Sequence, residues 1–404
     1  MGGPSFKSLQ FWRVLLLVLA NLSSGILGAA ITAAPQLTVQ ANATLRSETA
    51  SDDGQDSNAS NQANPTPKDG QAGTSLVIAP LPISSPALGS GIVPALAYIF
   101  PLSKSDKSSP PSLVGAVGLV TDNGSSGFVV GGEFYFRENT YRATAVFVRG
   151  NLNYDLYGLG AGRSQPKLPL NQTGQAVFAE FLRRLGWKFF LGPRFFWGNS
   201  LVTRRTTNSG TAPLPPDLGL QTSLTALGLR LQRDTRPNRF YPTSGSLLDF
   251  TADFFSQTLG SKYSLQTYKL DFSKYGSLGD KQVVAYNGIA CFTGGQPPFY
   301  GNCIYGTNNQ LRGYIAGSYL DRYMFATQLE YRLSLPWRLG VAAFAGLGEV
   351  VPGGNQLFNT KNFLPSAGGG TRFVLSKKYH VNLRLDFAKG KGSNTWSVGV
   401  GEAF

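Results

Sequence analysis

The chain has 404 residues, a formal net charge of +14 and only 14% charged residues, and it is rich in glycine (49), phenylalanine (27) and tyrosine (17). Soluble domains carry ~25% charged residues, so this composition disfavours an ordinary soluble domain. Helical membrane proteins have apolar runs of ~20 residues, but the long charge-free stretch that follows the N-terminal segment, 76–102, is broken by five prolines. Low charge without long apolar runs is typical of a transmembrane β-barrel, because only every second residue of its strands faces lipid.

The first thirty residues have the pattern of a secretory signal peptide. Lys7 and Arg13 precede the apolar segment 14–20, and small residues follow at 28–30. This order of charged, apolar and small residues predicts a signal peptide over residues 1–30. The alternative is an uncleaved anchor helix, which the polar residues after the apolar segment disfavour.

Residues 31–86 are predicted to form a disordered polar linker, and residues 87–404 a single transmembrane barrel. The centre of the linker, 50–67, has almost no large apolar side chains. Its folding would bury too little surface to offset the loss of chain entropy.

The basic residues are in excess throughout the predicted barrel. Such an excess can indicate nucleic-acid binding, but an exported chain does not meet nucleic acid, and we predict none as a partner. Anionic lipid headgroups or lipopolysaccharide at the membrane rim are the predicted partners. The alternative is scattered, solvated charge without any partner.

Beyond residue 87 the sequence alternates between period-two segments and turns rich in Gly, Asn, Asp and Pro. Even spacing, and the lack of any long helical pattern, predict an all-β fold, a 16-stranded antiparallel transmembrane β-barrel rather than a sandwich. The predicted strands are Ile92–Phe100, Leu113–Thr121, Gly127–Phe136, Thr140–Arg149, Leu152–Leu159, Ala176–Leu185, Lys188–Trp197, Thr222–Asp234, Ser246–Phe255, Tyr263–Tyr275, Gln282–Phe292, Tyr323–Leu335, Gly340–Val350, Gly369–Leu375, His380–Ala388 and Thr395–Phe404.

Charged residues of both signs share the polar faces of the later strands. In Tyr323–Leu335 the apolar side chains have one parity and Glu330 has the other. Arg372, Arg384 and Asp386 lie on the polar faces of the following strands. Opposite charges on neighbouring strands can pair across a shared interior, so we predict that these residues face the lumen of a barrel.

The last predicted strand carries an outward, apolar face of Trp396, Val398, Val400 and Phe404. Alternation alone fits the core face of a soluble sandwich equally well, but the lumenal charges favour a strand that faces lipid. Aromatic rings concentrate at membrane–water interfaces. We therefore predict that the Phe404 ring lies at the membrane boundary.

Cys291 and Cys303 are the only cysteines. An exported chain meets oxidising conditions, so we predict a disulfide between them at the base of a long loop. The alternative is two unpaired thiols.

Several short motifs go beyond generic barrel patterning. They are the charged turn Arg233–Gly245, Leu311–Tyr314 in the long loop after Cys303, Gln328–Arg332, Gly368–Arg372, Leu383–Phe387 and the terminal Phe404. Together they resemble the BamA/TamA-type outer-membrane assembly barrels, also called the bacterial surface antigen family. The resemblance covers residues 220–404 in order and implies a sixteen-stranded barrel in a bacterial outer membrane.

In that family the long loop folds back into the lumen, where its arginine pairs with acidic residues of the following strands. The resemblance implies that Arg312 is this arginine, that Gly313 allows the tight tip and that Tyr314 packs beside it. It also makes Glu330 an acidic partner, and the parity of Glu330 independently places it inside. We call these four residues the loop lock. The second acidic position of the family is occupied here by Gly346.

Family members usually carry periplasmic polypeptide-transport-associated (POTRA) domains before the barrel. Residues 35–86 are too short and too polar for one such domain. We therefore expect a barrel without these domains, acting on client outer-membrane proteins or with a periplasmic partner in their place.

The resemblance implies a function in outer-membrane biogenesis, through the insertion or assembly of proteins or lipids. Two alternatives stay open: a passive channel or porin for small solutes, and a structural or surface-interaction barrel. For biogenesis we predict that the last strand closes against Ile92–Phe100 and that this seam opens. Gly399 and Gly401 weaken the last strand, and Pro94 lacks a ladder donor.

No enzyme is predicted. The single histidine, His380, has no serine motif and no metal-ligand spacing around it, so we expect no catalytic residue, metal or cofactor. A lipid hydrolase with a His–Ser pair in the barrel wall is the remaining enzymatic alternative. Gly158–Gly162 resembles a phosphate loop only in its glycines, because no helix follows it.

Overall fold

The computed structural model describes residues 75–85, 89–103, 105–106, 108–157, 167–205, 221–238, 241–298, 301–305, 311–314, 319–376 and 381–404. Sixteen strands form one antiparallel sheet in chain order, with the small sheet β12–β13 inserted between β11 and β14. The strands are β1 Ser75–Ser85, β2 Gly89–Phe100, β3 Ser112–Thr121, β4 Ser126–Phe136, β5 Tyr141–Tyr157, β6 Lys167–Gly186, β7 Phe189–Arg204, β8 Gln221–Asp234, β9 Gly245–Phe255, β10 Leu265–Ser277, β11 Gln282–Gly295, β12 Cys303–Ile304, β13 Leu320–Asp321, β14 Tyr323–Ser334, β15 Leu339–Val351, β16 Leu364–Ser376, β17 Val381–Gly390 and β18 Ser393–Val400. This up-and-down order of sixteen strands confirms the predicted fold class.

The two ends of the sheet carry different connections. The tight turns 137–140, 187–188, 278–281 and 335–338 lie at one end, where β1 begins and β18 finishes, and we call it the turn end. The opposite end, the loop end, carries the long connections 256–264, 296–322 and 352–363. Short 3-10 turns occur at Gln257–Leu259, Pro336–Arg338, Gly354–Gln356 and Thr360–Asn362.

Strand β14 shows how period-two alternation sorts side chains between lumen and lipid. Gln328, Glu330 and Arg332 are at most 1% exposed, whereas Leu329 and Tyr331 are 54% and 38% exposed. At ~3.4 Å per residue and a tilt of ~40°, a strand of this length spans roughly 30 Å, the thickness of a hydrocarbon core. In the part of the chain that the structure describes, no helix is long and apolar enough to cross a bilayer.

Strand β5 corrects one of the predicted boundaries. The sequence predicts Thr140–Arg149 and Leu152–Leu159 as separate strands, but β5 runs unbroken over Tyr141–Tyr157. Gly150 and Asn151, which suggest a turn, pair in register with β6. The neighbouring strands supply ladder partners on both sides at these positions, so hydrogen bonding overrides the weak local preference for a turn.

Residues 75–85 correct a second boundary, because they form β1 instead of the end of the predicted linker. The strand pairs with β2 along its whole length, from Ser75 opposite Ile99 to Ser85 opposite Gly89. Sequence patterns do not predict this strand because it contains prolines, which are tolerated only at sheet edges, strand starts or bulges. The remaining linker and the predicted signal peptide lie outside the described residues, as do His380 and the segment 158–162.

The predicted first strand of the barrel is in fact the second. Strand β2 pairs with β1 on one edge and with β3 on the other. The prediction that the last strand closes against Ile92–Phe100 is therefore wrong. The ends of the strand order are β1 and β18, so these two strands meet when the barrel closes.

The lumen is apolar along part of the wall. Inward-facing side chains of β5–β10 form one buried cluster near the loop end, with members Val146, Leu152, Tyr154, Leu170, Ala176, Phe178, Phe196, Val202, Leu224, Ala226, Phe255 and Leu265. Nearer the turn end, Arg230 pairs with Glu180 at 2.9 Å and with Asp249 at 2.5 Å, and Arg194 pairs with Asp253 at 3.3 Å. We call these five charged residues the wall cluster.

Candidate functional site

The long connection between β11 and β14 starts at a disulfide. Cys291 on β11 and Cys303 on β12 are bonded, and their Cα atoms are 5.9 Å apart, a usual separation for a disulfide. Farther along, the rings of Tyr305, Tyr314 and Tyr319 meet edge-on with centroids 5.4–6.3 Å apart. The covalent bond fixes where the loop leaves the wall, and the aromatic triad gives the loop a core of its own.

The loop tip places Arg312 inside the barrel, where it is 5% exposed. Its guanidinium donates to Glu330 on β14 and, at 2.7 Å, to Asp386 on β17. The same group stacks on Phe344 of β15, with Cζ 3.4 Å from the ring centroid, and Nε donates to Gln328 at 3.3 Å. One loop side chain therefore joins three strands of the wall.

Gly313 brings the loop tip against the last strand. Its φ is +108°, and a Cβ atom there would lie 2.8 Å from the Ser366 hydroxyl and 3.0 Å from backbone atoms of β17, so only glycine fits. The Gly313 N–H donates to Thr395 Oγ1 at 3.0 Å, and its carbonyl accepts from the Ser393 hydroxyl. Both partners lie in the first half of β18.

Tyr314 completes the contact with the end of the barrel wall. Its hydroxyl donates to the carbonyl of Pro365 on β16 at 2.7 Å and accepts from the N–H of Lys391 at 2.9 Å. Lys391 lies in the hairpin between β17 and β18. The loop tip thus touches each of the last three strands or their connecting turn.

Further ion pairs continue from the loop tip along the lumen. Arg332 pairs with Glu330 at 2.5 Å, and Arg372 pairs with Asp386 at 2.6 Å. Arg384 reaches Asp386 at 3.4 Å. Removing one partner of a buried ion pair leaves an uncompensated charge and costs ~3–5 kcal/mol. Arg372 of β16 also lies 3.6 Å from Glu330 of β14, so the ion pairs join β14, β16 and β17.

The last residues leave the wall and turn into the lumen. Gly401 has a φ of +86°, and its N–H donates to the Asn382 carbonyl at 2.7 Å. Glu402 then pairs with Arg372 at 2.8 Å and accepts from Asn382 Nδ2 at 2.8 Å. Strand β18 is therefore bound from inside at its exit as well as at its start. We call the joined residues Arg312, Glu330, Arg332, Arg372, Arg384, Asp386 and Glu402 the lumen cluster.

This inward turn corrects the prediction for Phe404. Arg332 donates to the backbone oxygen of Phe404 at 3.1 Å and lies 5.8 Å from the centre of its ring. The ring is therefore on the lumen side and not at the membrane boundary, because the left-handed backbone at Gly401 ends the alternation. Trp396 is 68% exposed on the outer face. The side chains of Val398 and Val400 lie outside the described residues.

The charged turn between β8 and β9 also reaches the site. Asp234 pairs with Arg236 at 2.9 Å, and the Tyr241 hydroxyl lies 3.1 Å from the Ser334 hydroxyl at the end of β14. Burial lowers the pKa of Arg236, but the hydrogen bonds and charge of Asp234 prevail and hold it above its ordinary value. The turn thus contacts β14 at the turn end, two residues beyond Arg332 of the lumen-facing ion pairs.

Gly346, which replaces an acid expected from the family resemblance, is needed for packing. A Cβ atom there would lie 2.3 Å from Leu311 Cδ1 and 2.4 Å from the Thr327 carbonyl. Leu311 therefore occupies the space that an aspartate would need. The second acidic partner of Arg312, besides Glu330 on β14, is instead Asp386, which lies three strands farther along the sheet.

Sequence reasoning missed Glu402, although the sequence holds a signal for it. Glu402 has the same parity as Trp396, so a continuing strand would place its carboxylate in lipid at a cost of several kcal/mol. A glycine directly precedes it. An acidic residue at a position whose parity would face lipid, directly after a glycine, indicates that the strand ends before these two residues.

The barrel has known counterparts. A model of the Omp85 superfamily domain matches residues 132–404, more than half of the chain. The chain belongs to the Omp85 superfamily. This membership confirms the family resemblance and makes the protein an outer-membrane β-barrel.

Solved Omp85 structures share the fold at low identity. BamA from Haemophilus ducreyi lacking POTRA domains 1–3 has a TM-score of 0.52 and 14% identity over 81% of this chain and 70% of that chain. CdiB from Acinetobacter baumannii has a TM-score of 0.50 and 12% identity, over 81% and 64%. CdiB from Escherichia coli has a TM-score of 0.50 and 10% identity, over 81% and 61%.

The chain thus spans less than two thirds of either CdiB chain. Comparison with curated protein sequences gives no significant match. Membership of the Omp85 superfamily supports a function in outer-membrane biogenesis and gives less support to a porin.

Proposed function

We propose that this Omp85 barrel acts in outer-membrane biogenesis by opening the seam between β18 and β1 toward the bilayer, where a client protein or lipid enters the membrane. The observation that carries the proposal is the attachment of the loop lock to the last strand. Gly313 is hydrogen-bonded to Ser393 and Thr395 of β18. Movement of the loop tip therefore changes how firmly the seam strand is held.

The seam edge of β1 has fewer hydrogen-bond donors than an ordinary strand edge. Pro94 of β2 stands opposite Pro80 of β1, and the β2–β3 register is interrupted beside Pro94. The imide nitrogen of Pro94 thus faces β3. In an antiparallel ladder, opposite residues alternate between pairs whose N–H and C=O groups bond to each other and pairs whose groups point away from each other. Pro80, opposite Pro94, and Pro82, two residues on, belong to the second kind, so their nitrogens face away from β2. Two of the five residues with this orientation in β1 have no N–H to offer β18.

The last strand is short for a membrane-spanning strand. Strand β18 has eight residues, whereas a strand that crosses the hydrocarbon core needs ~9–11. Its exit at Gly401 is held by lumenal contacts of Glu402. A short strand with a donor-poor partner forms a weak ladder, so the contacts from inside supply much of what keeps it in place.

The proposal favours insertion over solute diffusion because side chains and the loop tip occupy part of the lumen. Arg142 on β5 donates to Gln232 on β8 at 3.1 Å, and the loop tip is bonded to β14 and β17 from inside. The basic excess of the chain suits anionic outer-membrane lipids or lipopolysaccharide as partners. No catalytic step, metal or cofactor is part of this proposal.

A crosslink across the seam tests the proposal. Ile78→Cys on β1 is combined with Trp396→Cys or Val398→Cys on β18, and each pair is joined by a thiol crosslinker. Both native cysteines are in the disulfide, so only the introduced pair reacts. The control joins Phe250→Cys to Leu270→Cys, which are register partners within the wall.

The measurements are the rate at which a client outer-membrane barrel folds into vesicles containing the protein, and the conductance of planar bilayers. We expect the seam crosslink to lower the client folding rate to that of empty vesicles and the control crosslink to leave it unchanged. An unchanged rate with a joined seam would overturn the proposal. Conductance without any acceleration of client folding would instead support the porin alternative.

A further inference from the structure

Two hairpins at the turn end share an unusual composition. Trp187-Lys188 joins β6 to β7, and Trp337-Arg338 end the connection 335–338 between β14 and β15. The N–H of Leu339 donates to the Pro336 carbonyl, so Trp337 and Arg338 are the two central residues of that turn. All four residues have positive φ, from 45° to 78°. Two-residue hairpins with this backbone normally carry Asn-Gly, because other side chains are strained there. Backbone strain that persists at a surface position indicates a use for the side chains that it displays.

Both tryptophans extend almost fully into the surroundings. Trp187 is 89% and Trp337 is 90% exposed, and the nearby Leu185 and Leu335 are 61% and 40% exposed. Each indole therefore follows an exposed leucine by two positions in the chain and directly precedes a cation, Lys188 or Arg338. An apolar ring with a polar N–H next to a cation suits the level of lipid headgroups, where tryptophan is enriched in membrane proteins.

Hydrogen bonds from the neighbouring strands fix both turns. Arg233 of β8 donates to the Trp187 carbonyl at 3.1 Å. In the second turn the N–H of Leu335 donates to the Leu339 carbonyl at 2.9 Å, and Arg338 donates to the Val374 carbonyl of β16 at 3.4 Å. The indoles are therefore displayed from ordered backbone.

The two turns are too far apart for one small partner. They are six strands apart in the sixteen-strand order, which is ~29 Å along the wall at ~4.8 Å per strand. A bilayer surrounds the whole barrel and meets both turns at the same depth. A partner protein would need two separate arms with the same chemistry.

We propose that Trp187-Lys188 and Trp337-Arg338 are lipid-binding anchors at the turn end. Each indole lies at the boundary between headgroups and acyl chains, and each cation binds the phosphate of an anionic phospholipid. Together they set the depth and tilt of the barrel in the membrane. This assignment is independent of the seam and goes beyond the proposed function.

Depth-dependent fluorescence quenching tests where the indoles lie. Single-tryptophan proteins keep Trp187, Trp337 or, as a control, Trp197, which has the outward parity halfway along β7; the other tryptophans become phenylalanine. Each protein is folded into vesicles whose lipids carry bromine near the headgroup or near the chain end. We expect headgroup-proximal bromine to quench Trp187 and Trp337 more strongly, and deep bromine to quench Trp197 more strongly.

Quenching of Trp187 and Trp337 by aqueous acrylamide, with no quenching by either brominated lipid, would overturn the proposal. Shielding from acrylamide that appears only when a second outer-membrane protein is added would overturn it as well, because it would identify a protein partner. Heat-modifiable gel mobility establishes that each single-tryptophan protein is folded.

Turn replacements separate anchoring from a structural role. Trp187→Asn with Lys188→Gly, and Trp337→Asn with Arg338→Gly, supply the residues that this turn prefers. We expect unchanged or higher stability in detergent and a lower folded fraction in vesicles of phosphatidylcholine with phosphatidylglycerol. The control Asn139→Gly changes another position with positive φ, 59°, that carries no aromatic residue, and should behave alike in both media. Equal effects of the turn replacements in both media would overturn the anchoring role.

Charge variants test the phosphate contact. Lys188→Gln and Arg338→Gln should each lower the folding constant about five-fold in phosphatidylglycerol-containing vesicles, the ratio given by ~1 kcal/mol per basic residue near an anionic surface. The same variants should have no effect in pure phosphatidylcholine. Equal losses in both vesicle types would contradict binding to anionic headgroups.

Discussion

The wall cluster and the lumen cluster both consist of buried ion pairs, but these pairs connect different parts of the molecule. In the wall cluster, Arg230 joins Glu180 and Asp249, which lie on β6 and β9, close neighbours of its own strand. In the lumen cluster, Arg312 comes from a loop and joins β14 to β17, and Glu402 adds the end of the chain. Ion pairs between nearby strands strengthen a wall. Ion pairs that include a loop and a strand terminus decide whether those segments can move.

Removing the central arginine of each cluster, Arg312 or Arg230, should have the largest effect and should distinguish the two clusters most clearly. Arg312→Ala and Arg230→Ala each remove one cationic partner from two buried carboxylates, so each should lower the free energy of unfolding by up to ~3–5 kcal/mol. In Arg312→Ala, Glu330 and Asp386 keep Arg332 and Arg372 as partners. Only Arg312→Ala should expose the connection 296–322 to limited proteolysis. Urea unfolding in detergent gives the stabilities, and Arg322→Ala, at an exposed position, is the control with little effect. Equal loop release by Arg230→Ala would show that the clusters are not distinct.

The disulfide should matter for the loop and not for the wall cluster. Replacing Cys291 and Cys303 with serine opens a covalent ring formed by a sequence separation of 12, and should cost ~3 kcal/mol. Amide hydrogen exchange should become faster in residues 301–305 and 319–322 and stay unchanged in β5. Faster exchange in β5 would mean that the loop supports the whole barrel.

Glu402→Gln should have a smaller effect that is confined to the end of the chain. The variant keeps the shape of the side chain but loses charge-assisted hydrogen bonds to Arg372, at a cost of ~1.5–3 kcal/mol. Exchange of the Gly401 N–H, which is bonded to the Asn382 carbonyl, should accelerate. Asp249→Asn in the wall cluster is the matched control and should leave that exchange rate unchanged. A faster Gly401 exchange rate in Asp249→Asn would show that the two clusters are energetically coupled.

A carboxylate outside both clusters gives the smallest effect. Asp106 accepts from the Ser109 hydroxyl at 2.7 Å and from the N–H of Glu138 at 2.8 Å, and these bonds, led by the Ser109 hydroxyl, lower its pKa to about 2. A lowered folded-state pKa stabilises the fold above the unfolded value of ~3.9, and this contribution is lost as the pH falls toward 2. Titration of Asp106 by NMR should give the low pKa, and Ser109→Ala should raise it. An ordinary pKa would show that these hydrogen bonds do not form.

Local alternation predicts the parts of the site that lie on regular strands. The inward orientation of Glu330, Arg372, Arg384 and Asp386 follows from parity, because a strand turns its side chains to opposite faces at every step. The pairing of Asp386 with Arg312 does not follow from it. Those residues are 74 positions apart, and only the path of the loop through the lumen decides which acid it meets.

Strand boundaries fail where hydrogen-bonding partners override composition. Gly150 belongs to β5 because β4 and β6 supply ladders on both sides. Pro80 belongs to β1 because a proline whose nitrogen faces the seam removes no bond to β2. A window of sequence contains neither partner, so it cannot weigh these bonds.

The sequence by itself determined the all-β class, the faces of the strands and the residues that form the loop tip, because those depend on a period of two and on short motifs. The tertiary structure decided which strand is first, which acid joins Glu330 on Arg312, and that the chain's end turns inward through Gly401 to bring Glu402 to Arg372. The physical reason is that a buried charge is stable only with a partner. Barrel closure and loop insertion, and not the neighbouring residues in the chain, supply that partner.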